Sequence, residues 1–228
     1  MGIRLTEINT TFKGGAESMS FQSFSVVQNG DMDIFMGKLA GTKTSENLAR
    51  AFAGESQARN RYTFYAEYAK NEGHRALEQQ FLLIAGNELA HAKVFYDLLV
   101  DGMGNGNVNV NVDAGYPFEL GDTLSNLKAA AEGEKEEHSM IYPSFADVAK
   151  QENFPAIEAA FRMIAKIEKE HEQKFNQLKT ELEQQTLYRK TQPVQWICTN
   201  CGHIHQGTDA PMICPVCKHP QGWFEVKN

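Results

Sequence analysis

The first 197 residues of the chain contain no cysteine, and nowhere does it run to eighteen consecutive apolar residues. The first absence excludes a disulfide-dense secreted scaffold, which is small and carries cysteine throughout. The second excludes a membrane-spanning helix; the apolar run at 81–85 is far too short, and Glu88 follows it. Positive charge is also scarce, with 22 Lys and Arg against 29 Asp and Glu and a formal net charge of -7. Gripping a phosphate backbone needs clustered cations, so nucleic acid is not an expected partner. The N-terminus has no apolar core of a signal peptide, since Glu7, Asn9 and Lys13 follow closely on Arg4; a cytoplasmic location is the expectation. What remains is 228 residues at 42% hydrophobic and 22% charged, an ordinary globular composition with enough chain to bury a core.

Three regions differ in pattern. Residues 1–38 show no sustained period and read as an extension, with a short strand near 24–27 as its one candidate element. From 44 to about 188 apolar residues recur every three or four positions, the helical period. Four segments emerge: about 45–71 after a capping signal at 42–45, about 74–100 with a stop at Asp101 and Gly102, about 123–152, and Pro155 to near Tyr188. Pro143 inside the third predicts a kink or local unwinding. Gly73 and Asn153 centre two short links, whereas the middle link takes about 20 residues and carries an Asn/Val alternation at 108–112 that reads equally as strand or loop. Short–long–short linkage of four helices is the connectivity of a ferritin-like bundle with one long crossover. All four cysteines lie in the last segment, which is too small to fold on apolar burial alone and so expects a metal staple. The predicted architecture is mainly α: extension 1–38, four-helix bundle 39–190, and a small metal-knuckle domain 191–228.

Charged residues sit where the core should be. The apolar stripes of the four segments are interrupted mid-helix by Glu55, by Glu88 and His91, by Glu134 and Glu137, and by Glu168 and His171. Five carboxylates facing one core are prohibitive unless protonated or neutralised by cations, because an unpaired buried ion costs several kcal/mol. A Glu-x-x-His pair stacks its two side chains on one helix face. A Glu from each of two helices plus Glu-x-x-His from the other two is the di-iron or di-manganese carboxylate set of ferritin-like bundles. One imidazole per metal among hard oxygens suits iron or manganese better than zinc. The repetition of the pattern in both halves implies a pseudo-twofold axis through the site. Tyr62 and Tyr142 are spaced to hydrogen-bond ligating carboxylates, with plain packing of a polar-tipped ring as the alternative. His138 adjoins Glu137 and points about 100° away on an α-helix, so it is not expected to ligate.

Residues 38–188 resemble rubrerythrins. The likeness is carried by the runs KTSENL at 43–48, AFAGESQARNRY at 51–62, ELAHAK at 88–93, GEKEE at 133–137, YP at 142–143 and EKEH at 168–171. The C-terminal Cys-x-x-Cys-Gly and Cys-Pro-x-Cys are similar to the same family's rubredoxin module. The resemblance implies that Glu55, Glu88, Glu134, Glu137, Glu168 and His171 hold an oxidised iron pair, with Glu88 and Glu168 bridging. It also implies that His91 joins on reduction in exchange for Glu137, which would make Glu137, His91, Tyr62 and Tyr142 the catalytic group. The extension and the long crossover depart from the family pattern.

Cys198, Cys201, Cys214 and Cys217 form two Cys-x-x-Cys knuckles, a strong tetrahedral metal signal that iron and zinc both satisfy. Fusion to a redox bundle favours iron, which passes one electron at a time. The expectation is thus a non-haem di-iron peroxidase reducing hydrogen peroxide to water in oxidative-stress defence. Electrons would enter through the tetracysteine iron from a separate NAD(P)H-linked reductase or a rubredoxin. A homodimer or higher assembly is expected, because a cysteine module on one end of a long bundle is far from its own di-iron site. The alternatives are a ferritin-like iron oxidase or store using dioxygen, and a zinc-ribbon interaction module on a non-redox bundle.

Overall fold

The computed structural model describes residues 38–104 and 109–227. Five α-helical stretches build the bundle: α1 Lys43–Asn71, α2 Arg75–Met103, α3 Thr123–Glu136, α4 Tyr142–Gln151 and α5 Pro155–Glu183. Local chemistry sets their ends. Thr42 caps α1 by accepting from the Ser45 amide at 3.1 Å, and Asp122 caps α3 by accepting from the Ser125 amide at 2.8 Å. The two tight links turn on left-handed residues, Gly73 at φ 88° and Asn153 at φ 63°, the conformation that Gly and Asn adopt most readily.

The third helix unwinds locally beside Pro143, as the sequence predicts, and two helix ends need correction. A π turn, Glu137–Ile141, joins α3 to α4. Pro143 has no amide to give the carbonyl four residues back and its ring crowds that carbonyl; the ladder widens instead, and the Tyr142 amide bonds Glu137 five residues back. The second helix runs through Asp101 and Gly102 to Met103 and stops at Gly104, whose φ of 76° ends it. The fourth ends at Glu183, short of Tyr188. Residues 109–112 form no strand, while 105–108 and the candidate strand at 24–27 lie outside the described residues. Among the described residues no helix is long and apolar enough to cross a membrane.

The bundle buries two apolar cores with a polar belt between them. One core gathers Tyr62 and Tyr65 of α1, Phe81 and Ile84 of α2, Leu127 of α3 and Phe175 of α5. The other gathers Leu48 of α1, Phe95 of α2, Tyr142 and Phe145 of α4, and Ile157 and Phe161 of α5. Along every helix Glu55, Glu88, Glu134 and Glu168 fall between the residues of one core and those of the other. The stripes are apolar at both ends and charged in the middle. The crossover is strapped across α1, with the Tyr65 hydroxyl donating to the Glu119 carbonyl at 2.8 Å and the Tyr116 hydroxyl to that of Arg50 at 2.9 Å.

The C-terminal part is a three-stranded antiparallel sheet in the order β2-β1-β3, from β1 Arg189–Cys198, β2 Ile204–Asp209 and β3 Phe224–Val226. Its own core is Trp196, Phe224, Ala210 and two cysteines. It meets the bundle at the α1–α2 link. Arg75 lies over the Trp223 ring at 5.0 Å, the Tyr188 hydroxyl is 2.9 Å from His74 Nδ1, and Gly222 abuts Gly73 so closely that a Cβ would stand 1.7 Å from its carbonyl oxygen. Any side chain at 222 would therefore have to push the sheet off the bundle.

Candidate metal centres

The polar belt brings Glu55, Glu88, His91, Glu134, Glu168 and His171 together, all of them buried. His91 Nδ1 is 2.9 Å from Glu168 Oε1, 3.2 Å from Glu88 Oε2 and 3.8 Å from Glu55 Oε2. His171 Nδ1 is 2.8 Å from Glu168 Oε2, 3.2 Å from Glu88 Oε1 and 3.8 Å from Glu134 Oε2. The two sets mirror each other, as a pseudo-twofold axis requires. Two groups of potential ligand atoms result, Glu55, Glu88, His91 and Glu168 on one side and Glu88, Glu134, Glu168 and His171 on the other, each within 4.8 Å of one another. Glu88 and Glu168 belong to both, one oxygen to each side. That is the placement of bridging carboxylates.

These residues fit a pair of hard cations. Glu55 Oε2, Glu88 Oε1, Glu134 Oε2, both oxygens of Glu168 and His171 Nδ1 are buried with no hydrogen-bond partner, and they are the atoms that converge. Buried polar atoms are normally satisfied, so a cluster of orphans aimed at one spot is what a metal pair would complete. Without cations the belt must share protons. Burial and then the neighbouring carboxylates push Glu55 well above the usual range, and Glu134 up to about 8. Burial also acts on Glu88, His91 and His171, but the close approach of carboxylates to imidazoles outweighs it. Glu168 and Glu88 act on His91, Glu134, Glu168 and Glu88 on His171, and both imidazoles on Glu88. These contacts hold Glu88 down at about 2 and raise His91 to about 9 and His171 to about 12.

The flanking groups are in place as well. The Tyr62 hydroxyl donates to Glu134 Oε1 at 2.6 Å and that of Tyr142 donates to Glu55 Oε1, fixing the non-converging oxygen of each carboxylate. Asn87, which sequence reasoning missed, lies 3.1 Å from His171 Nε2. The contact is made by the Asn87 amide nitrogen Nδ2, and which partner donates depends on the tautomer of His171. A polar residue just before Glu88 gives no hint in the sequence that it reaches across to another helix. Glu137 belongs to neither ligand group; it opens the π turn and lines an adjoining cavity. His138 turns to Glu172 at 2.7 Å, and His74 and His219 bond within the domain junction and the second knuckle.

The four cysteines form a second centre. Sγ atoms lie 3.6 Å apart for Cys198 and Cys217 and 3.7 Å for Cys201 and Cys214, near the edge of about 3.8 Å that a tetrahedron with 2.3 Å metal–sulfur bonds demands. Each knuckle turns on a left-handed residue just past its second cysteine, Gly202 at φ 74° and Lys218 at φ 64°. A hydrogen bond from the His219 amide, the largest influence, helps hold the half-buried Cys217 thiol down at about 5; amide donors of this kind stabilise thiolate.

Residues 46–179 match the rubrerythrin family model, and residues 196–225 match the model of the rubrerythrin rubredoxin-like domain. Rubrerythrin-1 of Clostridium acetobutylicum is 50% identical over 84% of this chain and 97% of its own length. Rubrerythrin of Clostridium perfringens is 51% identical over the same shares. Among solved structures, nigerythrin in a mixed-valence state is similar at 25% identity with a TM-score of 0.53, over 93% of this chain and all of that one. A bacterioferritin of Desulfovibrio desulfuricans shares the fold, at 20% identity and a TM-score of 0.56 over 62% of this chain and 81% of its own.

Proposed function

The chain belongs to the rubrerythrin family, with a di-iron site in its bundle and a rubredoxin-like domain at its C-terminus, and on that premise we propose that it is a peroxidase reducing hydrogen peroxide to water. The observation that carries this is one chain bringing together two carboxylate–imidazole groups that share Glu88 and Glu168 and, in its C-terminal part, four cysteines placed to hold a further ion. An O–O bond takes two electrons and two protons to become two water molecules, and a mononuclear tetracysteine iron relays electrons singly. Two ferrous ions at the cluster would supply both electrons and act as Lewis acids toward the peroxide oxygens.

The protein supplies position and protons. In this reading Glu88 and Glu168 bridge, Glu55 with His91 and Glu134 with His171 complete the two halves, and Cys198, Cys201, Cys214 and Cys217 hold the relay ion. Tyr62 and Tyr142 keep Glu134 and Glu55 in place and can return a proton through them. The two apolar cores keep bulk water from the belt. Residues 1–38 have no part in this scheme; the bundle at 39–190 and the tetracysteine domain at 191–228 divide the work. Anaerobic stopped-flow mixing of the reduced protein with peroxide and with dioxygen tests the reading. Peroxide should react much the faster; faster reaction with dioxygen would assign the chain to iron oxidation and storage instead.

His91 within a ligand group and Glu137 outside it is the arrangement expected of the reduced site. Ferric iron favours an anionic oxygen donor, and ferrous iron tolerates neutral imidazole. Oxidation should therefore bring Glu137 in and release His91, and His91→Ala should keep both metals when oxidised while slowing the peroxide reaction. Crystal structures in both redox states check this; unchanged coordination would sink the exchange.

The tetracysteine domain docks at the first turn of α2, and Glu88 lies about 20 Å further along that helix at 1.5 Å per residue. Electron delivery between two copies of the chain follows, from the tetracysteine domain of one to the bundle of the other, with a rubredoxin or a reductase as the outside donor. Mixing chains altered at Cys198 with chains altered at Glu134 should restore part of the activity. No recovery in verified mixed dimers would refute it.

A further inference from the structure

A cavity of about 90 Å3 adjoins the cluster, bounded by α1, the π turn and the crossover. Tyr142, whose hydroxyl is bonded to Glu55, and Glu137 form the wall on the cluster side. On α1, Gly54 lines the space opposite the Tyr116 ring, which a Cβ there would meet at 3.7 Å in ordinary contact. Two guanidinium groups line the cavity with nitrogens that are buried and have no hydrogen-bond partner within the protein, Arg50 Nε and Arg61 Nη1. Arg61 is only 9% exposed. Its Nε donates to Gln57 at 2.7 Å and its head lies 5.6 Å from the centre of the Tyr62 ring, so the group is anchored where it stands. A buried donor left unpaired costs stability; this one belongs to a residue that lines a space with room for a few water-sized groups.

We propose that this cavity is the subsite in which hydrogen peroxide is bound on its way to the cluster, with Arg61 Nη1 as the donor that holds it and the Glu137 carboxyl group as the acceptor beside it. The proposal rests on the peroxide reading above and gives that reading its selectivity. Each oxygen of hydrogen peroxide both accepts and donates, so an N–H and a carboxyl oxygen across a small space satisfy the molecule together. Dioxygen has no proton to donate and is a very poor acceptor, so it gains nothing from either group. A site built to hydrogen-bond its substrate discriminates strongly against an analogue that cannot.

Arg61→Met removes the donor at similar length, and Arg61→Lys keeps a cation. In anaerobic stopped-flow of the reduced proteins, Arg61→Met should lower the second-order rate constant for peroxide about tenfold, the effect of one charge-assisted hydrogen bond. The constant for dioxygen should stay unchanged, and Arg61→Lys should recover part of the loss. Binding is read separately on the wild-type protein loaded with redox-inert zinc and labelled with nitrogen-15 in arginine, its thiolates verified intact by mass. Peroxide should shift the Arg61 Nε–H resonance, identified by its loss in Arg61→Lys, in a saturable way. An unchanged peroxide constant in a folded, metal-replete Arg61→Met protein would overturn the subsite, as would a resonance indifferent to peroxide. Wild-type protein that prefers dioxygen would instead overturn the functional reading, and the zinc titration still judges the subsite by itself.

Discussion

Glu168→Ala is expected to leave the bundle without either of its two metal ions while the tetracysteine site keeps its own. Glu168 places Oε1 beside His91 and Oε2 beside His171, and both oxygens are otherwise unpaired. Losing it takes one ligand from each half at once. Glu55 and Glu134 each serve one half, so alanine at either should weaken one ion more than the other. Peroxide reduction by Glu168→Ala should fall about a thousandfold or more, since the two-electron step needs both ions. Stability of the chelated protein should fall as well, because the substitution takes the nearest counter-charge from His91 and His171, which are protonated there. Metal analysis and thermal melts of loaded and chelated samples check both halves. A Glu168→Ala protein that retains two bundle metals would remove the bridging role.

Chelating the metals should turn the bundle into a protein that weakens as pH rises. Folded, His91 and His171 titrate at about 9 and about 12, and Glu134 at about 8, all above their unfolded values. Such groups bind protons more tightly in the folded state, so the stability they bring is complete at low pH and lost on the way up. Glu134 loses it between about 4.5 and 8, His91 between about 6.5 and 9, and His171 from about 6.5 toward 12. Glu88, held down at about 2, acts in the reverse sense but only below about pH 4.5, outside the window. Each proton is worth about 1.4 kcal/mol per pH unit, so the melting temperature of the chelated protein should drop by roughly 3 °C or more per unit between pH 5 and 9. The loaded protein should not follow, since ligation already requires these groups to be deprotonated. The gap between the two melting curves should widen with pH. Parallel curves would mean that the belt does not carry these protons.

Much of this was legible in the chain because the belt breaks a regular pattern. Glu55, Glu88, Glu134 and Glu168 stand at apolar positions of a 3.6 period, and such a violation is visible without a structure. The Glu-x-x-His spacing and the two cysteine knuckles are local, and local spacing survives into the fold. Helix ends were less legible. Gly102 reads as a stop, yet Gly104 ends α2 because helix interiors tolerate one glycine at modest cost. Tyr188 belongs to the apolar pattern of the fourth helix, but it reaches His74 from beyond the helix end. Asn87 and Arg61 could not be found this way, because their partners lie across the bundle or in an enclosed space that only packing creates.

The π turn at Glu137–Ile141 is a helix with one residue more than its ends need. A turn of that kind takes up a single inserted residue without disturbing the facing of what comes before or after. Glu134 on one side and Tyr142 on the other both address the cluster, and the surplus residue is absorbed between them. Deleting one residue within 138–141 should therefore tighten the turn while Glu134 and Tyr142 keep their places, with Pro143 still crowding the carbonyl four residues before it. The carboxylate at 137 would then sit on a tighter, stiffer turn. The seventh carboxylate-or-imidazole position of this bundle thus sits where the chain carries its one-residue excess.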